Sequence, residues 1–377
     1  MTTLYLIRHA EAEGNLYRIA QGQCDSIITD RGYQQIAALA ERFQNEKIDA
    51  VYSSDLTRTC ITAGSIANTK HLPIQKRKDL REICVGEWEE KTWGEIGIEE
   101  AEQLGLFTSR PDLWHVGGGE SMAAVRDRML AALRDIGEKN EGKTVAVFSH
   151  GCALRLVLGT LEGYELSEMG KTPHGDNTAV SKVAYENGEL RLIYRDDNSH
   201  VKALSTFARQ SWWKHPNGVE PGLYFRPLEL PAQAKVLTTC VRDGWTAAGE
   251  TREFDADVLL REAAERPTLS AYIEGESAGI LQLNPEKEAA EKAGWISLYC
   301  MEKPCRSRGL GIQMLGQAVL RYRAMERDKL RLSLQRSNES GLRFFSQYGF
   351  FAVDDGAAGR LILEKDIRAR EWRPEMA

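Results

Sequence analysis

Two histidines in the first half of the chain each follow a short apolar run, where their side chains could take part in phosphoryl chemistry. His9 comes directly after Arg8 at the end of the run 4–7, and His150 follows the run 144–149. A neutral imidazole is a good nucleophile toward phosphorus, whereas arginine or a protonated imidazole holds the charged phosphoryl oxygens. A carboxylic acid must then protonate the departing alkoxide. The strands and helices around these residues must therefore bring the groups together.

Strands and helices alternate through this half of the sequence. Short apolar runs are separated by segments of helical periodicity, such as 33–43 and 122–138. Repeated strand–helix units predict a mostly parallel sheet with helices on both faces, which is a three-layer α/β/α fold. Ligands bind such sheets outside the carboxyl ends of the strands. We expect His9, His150 and Arg58, which follows a third strand at the start of a helix, to share one pocket.

A series of short motifs accompanies the histidines over about the first 200 residues. In chain order they are LIRHAEAEGN at 6–15, QGQCDSIITDRG at 21–32, SSDLTRT at 53–59, LREICVGEWE at 80–89, FSHG at 148–151 and NTAV at 177–180. Together they resemble the histidine phosphatase superfamily, which has the phosphoglycerate-mutase-like fold. Ala10 stands where that family usually has glycine, and we expect its methyl group to crowd the pocket.

The resemblance implies a phosphomonoesterase that works through a phosphohistidine, without a cofactor or a metal. His9 is then the nucleophile, and Glu82 is the proton donor that afterwards activates water. The predicted catalytic set is His9, Glu82, His150, Arg8 and Arg58. The phosphoryl group of a small phosphorylated metabolite is expected to bind Arg8, Asn15, Arg58 and His150.

Hydrolysis is favoured over phosphoryl transfer between substrates. Arg18, and Trp88 two residues after Gly86, are more typical of the phosphatase branch of the family. A mutase needs a closed pocket that retains a bisphosphorylated intermediate and excludes water. A phosphotransferase of the phosphoglycerate mutase type remains the alternative.

A glycine-rich loop in the second half of the chain suggests a different ligand. Residues 304–311, PCRSRGLG, separate the apolar strand 295–301 from a long helix predicted to begin at Gly309. Glycines let the backbone turn tightly, and the free amides at the start of a helix bind phosphate oxygens. With NESGLRFFSQYGF at 338–350, the loop resembles the GNAT family of N-acetyltransferases.

This second resemblance implies an α+β domain that binds acetyl-CoA and acetylates an amine that the sequence does not identify. The expected cofactor-binding residues are Met301, Arg306, Ser307, Arg308, Gly309, Gly311, Ile312 and Asn338. Phe345 stands where the family has the tyrosine that protonates the CoA thiolate, and Tyr348 could replace it only with some shift. The domain is therefore either a transferase without the usual acid or a non-catalytic acyl-CoA-binding module that regulates the phosphatase.

Turn-forming residues and the pair Trp212-Trp213 interrupt the pattern between the halves. We predict a histidine phosphatase-like domain at 1–205, a linker at 206–222 and a GNAT-like domain at 223–377. Within the first domain, the dipeptide Asn187-Gly188 predicts a β-hairpin.

The composition excludes several classes of protein. Of 377 residues, 42% are hydrophobic and 28% charged, as in soluble globular proteins. A net charge of −6 argues against binding to nucleic acid or to an anionic membrane. No apolar run approaches the about 18 residues of a membrane span, and no signal peptide is expected. The seven cysteines lack C-x-x-C spacing, which predicts reduced thiols in a cytoplasmic protein and no metal site.

Overall fold

A computed structural model describes residues 1–209, 222–250, 252–356 and 359–373 of the chain. The chain divides into two compact units. One comprises Met1–Lys91, Ile96–Glu220 and Arg370–Ala377, and the other comprises Thr92–Glu95 and Pro221–Ala369. Residues 210–221, which include Trp212-Trp213 and most of the predicted linker, lie outside the described ranges, so the linker at 206–222 stays a prediction.

The first unit contains a six-stranded sheet whose first four strands in chain order are parallel, with order β3-β2-β4-β1-β5-β6. The strands are β1 (Thr2–Arg8), β2 (Ala50–Ser54), β3 (Ile74–Arg77), β4 (Thr144–Ser149), β5 (Val180–Glu186) and β6 (Glu189–Asp197). β5 runs antiparallel to β1 and forms the predicted hairpin with β6. Asn187 and Gly188 both have positive φ, of 51° and 87°, as a tight hairpin turn requires.

Helices cover both faces of this sheet, which confirms the predicted α/β architecture. Along residues 1–209 they are α1 (Glu13–Tyr17), α2 (Asp30–Arg42), α3 (Thr57–Lys70), α4 (Trp93–Glu99), α5 (Ala101–Ser109), α6 (Met122–Lys139), α7 (Gly151–Leu161) and α8 (Thr206–Arg209). Leu39 of α2, Phe43 just after α2 and Ile66 of α3 share one core with Tyr5 and Ile7 of β1. Because side chains alternate along a strand, β1 turns Leu4 and Leu6 to the opposite face, where α6 and α7 contact it.

Side-chain caps determine where two of these helices begin. The hydroxyl of Thr29 accepts a hydrogen bond from the amide of Gly32 at 3.0 Å at the start of α2. Ser121 does the same for the amide of Ala124 at 3.2 Å at the start of α6. Each cap satisfies one of the amides that a helix start leaves without an intrahelical partner.

The second unit contains a seven-stranded, mostly antiparallel sheet of order β12-β13-β11-β10-β9-β8-β7, as the α+β prediction implies. Its strands are β7 (Tyr224–Pro227), β8 (Thr268–Ile273), β9 (Glu276–Asn284), β10 (Ala293–Met301), β11 (Lys329–Gln335), β12 (Phe351–Gly356) and β13 (Arg360–Asp366). Its helices are α9 (Ala234–Ala248), α10 (Ala256–Glu265), α11 (Gly311–Ala324) and α12 (Glu339–Gln347). In the described ranges, no helix combines the length and the apolar character needed to span a membrane.

β10 and β11 are parallel neighbours over only part of their length. Their pairing runs from Ala293 opposite Lys329 to Ile296 opposite Leu332. The remainder of β10, through Met301, pairs with β9 alone after an irregularity at Ile296/Leu298. The carboxyl half of β10 therefore keeps one edge that β11 does not pair.

A substitution at Gly137 can test how closely α6 packs against the sheet. A Cβ atom at this position would lie 2.4 Å from Cγ of Tyr185, at the base of a ring that cannot turn away. We expect Gly137→Ala to destabilise the first unit, because overpacking costs about 1–3 kcal/mol and exceeds the helix-propensity gain of about 1 kcal/mol. Calorimetric unfolding of the full chain measures this. Gly105→Ala in α5, where nothing lies within 4 Å, is the matched control and should be neutral or stabilising.

Candidate functional site

The two histidines lie side by side because of the strand register. β1 and β4 pair in parallel up to Arg8 opposite Ser149, so His9 and His150 leave the sheet as direct neighbours. Their ring centroids are 5.3 Å apart. The amide of His9 donates to the carbonyl oxygen of Ser149 at 3.0 Å, which continues the pairing by one residue. The predicted convergence of these two residues is therefore found.

A hydrogen bond sets the tautomer of His9. Its Nδ1 lies 2.8 Å from the carbonyl oxygen of Ala10, and a carbonyl oxygen can only accept. Nδ1 therefore carries the proton, and the lone pair of the neutral ring is on Nε2. His9 is only 5% exposed, so the ring is held in a largely dry environment.

His150 is fully buried and contacts the end of β2. Its Nε2 lies 2.9 Å from the hydroxyl oxygen of Ser54, whereas its Nδ1 has no hydrogen-bond partner among the described residues. An unsatisfied buried nitrogen costs free energy unless a ligand or water supplies the partner. This ring is thus able to contact a bound group beside His9.

Two guanidinium groups approach the same end of the sheet. Nη1 of Arg8 donates to the carbonyl oxygen of Gly175 at 2.6 Å, and its Nε is buried without a partner in the described ranges. Arg58, the second residue of α3, is buried and donates to the carbonyl oxygens of Cys24 and Gly22 at 2.8 and 2.7 Å. Each guanidinium keeps its charge in the interior through hydrogen bonds to backbone carbonyls.

These charges determine the protonation of the histidines. Burial, followed by the positive charges of Arg58 and Arg8, holds the pKa of His9 well below its usual value. Burial also lowers the pKa of His150 well below its usual value, followed by the charge of Arg58 and by His9. Both rings are therefore neutral at neutral pH, as a nucleophilic imidazole must be. A phosphoryl dianion beside them would favour the protonated form of His150.

Glu82 is held at the amino terminus of α7, which follows His150. One carboxylate oxygen accepts from the amides of Ala153 and Ile83 at 2.8 and 3.1 Å, and the other accepts from the amide of Cys152 at 3.0 Å. These three amides hold the carboxyl group in a fixed position. The carboxyl group, 9% exposed, thus lies at the same end of the sheet as the histidines.

Glu89 organises the loop that binds Arg58. Its carboxylate accepts hydrogen bonds from the amides of Gly22, Gln23 and Cys24 at 3.1, 2.7 and 3.1 Å. The carbonyl oxygens of Gly22 and Cys24 are the acceptors for Arg58. Glu89 belongs to the motif at 80–89, but sequence reasoning assigned it no role, because its partners are more than 60 residues away.

Arg128 holds the backbone that carries Glu82. From α6 it donates to the carbonyl oxygens of Asp79, Arg81 and Glu82 at 3.0, 2.7 and 2.9 Å. It also forms an ion pair with Glu120 at 2.9 Å. The sequence contained no signal for this residue beyond its place on an amphipathic helix.

Asn15 and Ala10 shape the backbone around His9. The side-chain oxygen of Asn15 accepts from the amide of Ala12 at 3.1 Å and from Asn177 at 3.3 Å. Asn177 in turn donates to the carbonyl oxygen of His9 at 2.9 Å. The expectation that the Ala10 methyl group crowds the pocket stays a prediction. Ala10 is fully buried in a hydrophobic cluster with Ala12.

The glycine-rich loop of the second unit turns sharply before α11. Ser307 and Gly309 have φ of 59° and 76°, and a Cβ at Gly309 would meet nothing within 4 Å. This left-handed backbone moves the helix start from the predicted Gly309 to Gly311. Arg306 donates through Nε to the carbonyl oxygen of Met301 at 2.9 Å. Its Nη2 is buried and has no partner among the described residues.

The remaining predicted cofactor residues differ in their surroundings. Arg308 is exposed with its neighbours in the loop, whereas Ile312 is buried in the first turn of α11. Asn338 caps α12, where its side-chain oxygen accepts from the amide of Gly341 at 2.9 Å and from the hydroxyl of Ser340 at 3.1 Å. The structure thus gives this side chain a local structural role.

Phe345 lies in an aromatic cluster and is 3% exposed. Its ring centroid is 5.2 Å from that of Tyr299 and 5.1 Å from that of Phe350. Tyr348 follows the last residue of α12 with its ring 5.1 Å from that of Phe344. The position of the usual family acid is therefore occupied by a buried apolar ring.

Metal-ligating side chains do not gather in the part of the chain that the structure describes. Across residues 1–209, 222–250, 252–356 and 359–373, no group of three or more His, Cys, Asp or Glu side chains could hold a metal ion.

Comparison with known proteins identifies both halves of the chain. The histidine phosphatase superfamily (branch 1) matches residues 4–198, and the acetyltransferase (GNAT) family matches residues 232–350. Phosphoserine phosphatase 1 of Hydrogenobacter thermophilus is 34% identical over 201 residues, which are 53% of this chain and 95% of that protein. A probable phosphoglycerate mutase GpmB of Proteus mirabilis is 35% identical over 188 residues, or 50% of this chain and 86% of that protein.

A solved structure shares the fold of the first half. Bacillus stearothermophilus YhfR is 31% identical, with a TM-score of 0.52, and the match covers 53% of this chain and 100% of that one. The family match itself extends over more than half of the 377 residues. The chain belongs to the histidine phosphatase superfamily and carries a GNAT-family domain after its phosphatase domain.

Proposed function

We propose that this chain is a phosphomonoesterase that hydrolyses a small phosphorylated metabolite through a phosphohistidine at His9. The observation that carries the proposal is a neutral imidazole, with its proton fixed on Nδ1, in the field of two buried guanidinium groups. Such a ring has a lone pair on Nε2 at neutral pH, and the electrostatic partners for a phosphoryl group are already in place.

The reaction needs two steps. Nε2 of His9 attacks phosphorus and the bond to the ester oxygen breaks, while Glu82 gives its proton to the leaving alkoxide. Arg8, Arg58 and His150 bind the phosphoryl oxygens during the transfer. Glu82, now ionised, takes a proton from water, which attacks the phosphohistidine. Inorganic phosphate leaves, and His9 and the protonated Glu82 are regenerated.

Two relatives suggest which substrates to test first. One is named a phosphoserine phosphatase, which favours a small phosphorylated hydroxy compound as the substrate. The other is named a probable phosphoglycerate mutase, which keeps phosphoryl transfer between glycerate positions as a second candidate. The ratio of released phosphate to isomerised phosphoglycerate separates the two functions.

The second unit is proposed to bind acetyl-CoA through the loop that precedes α11. The amides at the start of this 14-residue helix and the buried Nη2 of Arg306 suit the negative oxygens of a pyrophosphate. The unpaired edge of β10 that ends at Met301 suits the amides of the pantetheine arm. Amine acetylation then proceeds without a tyrosine acid, with water protonating the thiolate, or the domain is a regulatory acyl-CoA-binding module.

The proposed location is the cytoplasm, with no nucleic acid or membrane as a partner. All seven cysteines are free thiols. Free thiols are typical of proteins in a reducing compartment.

Variants at His9 and Glu82 separate the two chemical roles. We expect His9→Ala to abolish the phosphoenzyme seen in rapid-quench experiments, on any ester. Glu82→Gln should lower phosphoserine hydrolysis by about 100-fold or more, because an alkoxide needs a proton donor. The same variant should form the phosphoenzyme readily from p-nitrophenyl phosphate, whose leaving group needs no acid. Glu90→Gln, at an exposed position nearby, is the control. Equal losses in the rate of phosphoenzyme formation from both esters would contradict the role of Glu82 as the acid.

The depressed pKa of His9 predicts the pH profile. The neutral ring attacks, so activity is present above the folded-state pKa and is lost as pH falls through it. The acid limb of kcat/KM should therefore lie below the usual imidazole value of 6.5. Arg58→Gln removes a positive charge that lowers the pKa of His9, so the acid limb of this variant should move to higher pH. The substrate titrates identically with the wild type and with the variant, so its contribution cancels when the two profiles are compared. An acid limb at the same pH in both enzymes would contradict its assignment to His9.

Calorimetric titration with acetyl-CoA tests the second unit. Arg306→Ala should weaken binding about tenfold, the equivalent of one charge-assisted hydrogen bond. Lys303→Ala, an exposed cation in the preceding turn, is the matched control. Equal affinity in the Arg306 variant would argue against the loop as the binding site. Release of free CoA thiol in the presence of an amine panel distinguishes a transferase from a binding module.

A further inference from the structure

A short segment far from the family match belongs to the first unit. Residues 370–373 follow the second unit in sequence, yet Arg370–Ala377 is assigned to the first. Trp372 is 3% exposed and lies in a cluster of apolar side chains. The other buried members of this cluster are Ala10, Ala12, Ile28, Ile36 and Ala40. The match to the phosphatase family ends at residue 198, so it includes no counterpart of this tryptophan.

Polar contacts fix the 370–373 segment against two helices. The carbonyl oxygen of Trp372 accepts from the side-chain amide of Asn68 on α3 at 3.0 Å. Arg370 forms an ion pair with Asp30 of α2 at 2.5 Å. The hydroxyl of Tyr33, also on α2, donates to the carbonyl oxygen of Arg370. The segment is therefore held at both α2 and α3 within the first unit.

Ala10 connects this cluster to the nucleophile. Its carbonyl oxygen accepts the Nδ1 proton of His9 at 2.8 Å, and its amide donates to the hydroxyl of Thr62 on α3 at 3.0 Å. The hydroxyl of Thr62 in turn donates to the carbonyl oxygen of Arg58 at 2.7 Å. A change in the packing of Ala10 would therefore alter the hydrogen bond that fixes the tautomer of His9.

We propose that Trp372 is a positioning residue for the phosphatase reaction, acting through Ala10 on the ring of His9. The 370–373 segment completes the hydrophobic cluster that contains Ala10. The alanine, present where the family usually has glycine, contributes its methyl group to the same cluster. This inference rests on the proposed role of His9, and it makes the phosphatase depend on residues that follow the GNAT domain.

The proposal predicts a specific defect in Trp372→Ala of the full chain. Arg8, Arg58 and His150 bind the phosphoryl group and are unchanged, so KM should stay within about twofold, whereas kcat should fall about tenfold or more as the ring loses its alignment. The carbonyl of Ala10 favours the protonated ring of His9. A weaker bond therefore lowers the pKa of His9 and moves the acid limb of kcat/KM to lower pH.

Two controls separate positioning from general stability. Trp372→Phe keeps an aromatic ring in the cluster and should restore most of kcat. Glu371→Ala, at the exposed neighbouring position, should behave as the wild type. All assays are run well below the unfolding temperature of each variant. If Trp372→Ala lowers only the unfolding temperature and keeps the wild-type kcat and pH limb, the proposal is overturned.

A double-mutant cycle tests the link through Ala10. Ala10→Gly should reduce kcat less in the Trp372→Ala background than in the wild type, because the shared packing is already lost. Strictly additive effects of the two substitutions on the logarithm of kcat would contradict the link between Trp372 and Ala10. NMR of the imidazole nitrogens, without any substrate, should show the Nδ1-protonated tautomer of His9 in the wild type and its loss in Trp372→Ala. A wild type without any phosphoenzyme would instead refute the proposed function, while an unchanged tautomer would refute this inference alone.

Discussion

The parallel pairing of β1 with β4 is the constraint on which the phosphatase site depends. It brings His9 and His150 out of the sheet as neighbours, although 140 residues separate them in the sequence. One further hydrogen bond, from Nδ1 of His9 to the carbonyl oxygen of Ala10, then decides which ring nitrogen can react. The strand register thus brings the two imidazole rings together, and a single backbone carbonyl oxygen sets the tautomer of His9.

The site concentrates positive charge where water is largely excluded. Arg8 and Arg58 keep their charge because backbone carbonyl oxygens solvate them, and Glu89 orders the loop that provides two of these oxygens. Burial keeps the histidines neutral, and the same charges add to this effect because a further cation would be repelled. Glu82 is stabilised separately by amides at the start of α7. The histidines, the guanidinium groups and the carboxyl group thus have distinct environments at one end of the sheet.

In the second unit, the loop before α11 suits a phosphorylated cofactor, but Phe345 stands at the position of the family's tyrosine acid. The left-handed residues before α11 and the buried Nη2 of Arg306 retain the features of an anion site. Phe345 packs against Tyr299 and Phe350, so an acid is absent at the position where the family carries one. Under the proposed function, acetyl-CoA binding and acetyl transfer therefore have different physical requirements.

The sequence by itself determined the strand–helix alternation, the two sets of family motifs and the expectation that His9, His150 and Arg58 meet at one end of a sheet, because these follow from local periodicity and from residues at fixed spacing. Glu82 was expected there only through the resemblance to the phosphatase family. Only the tertiary structure decided what surrounds these residues. The contact of Arg128 with the backbone of Glu82 and the place of Trp372 in the cluster of Ala10 could not be predicted. Each role depends on contacts or backbone geometry that form only when the chain folds, and long-range packing leaves no periodic trace in the sequence.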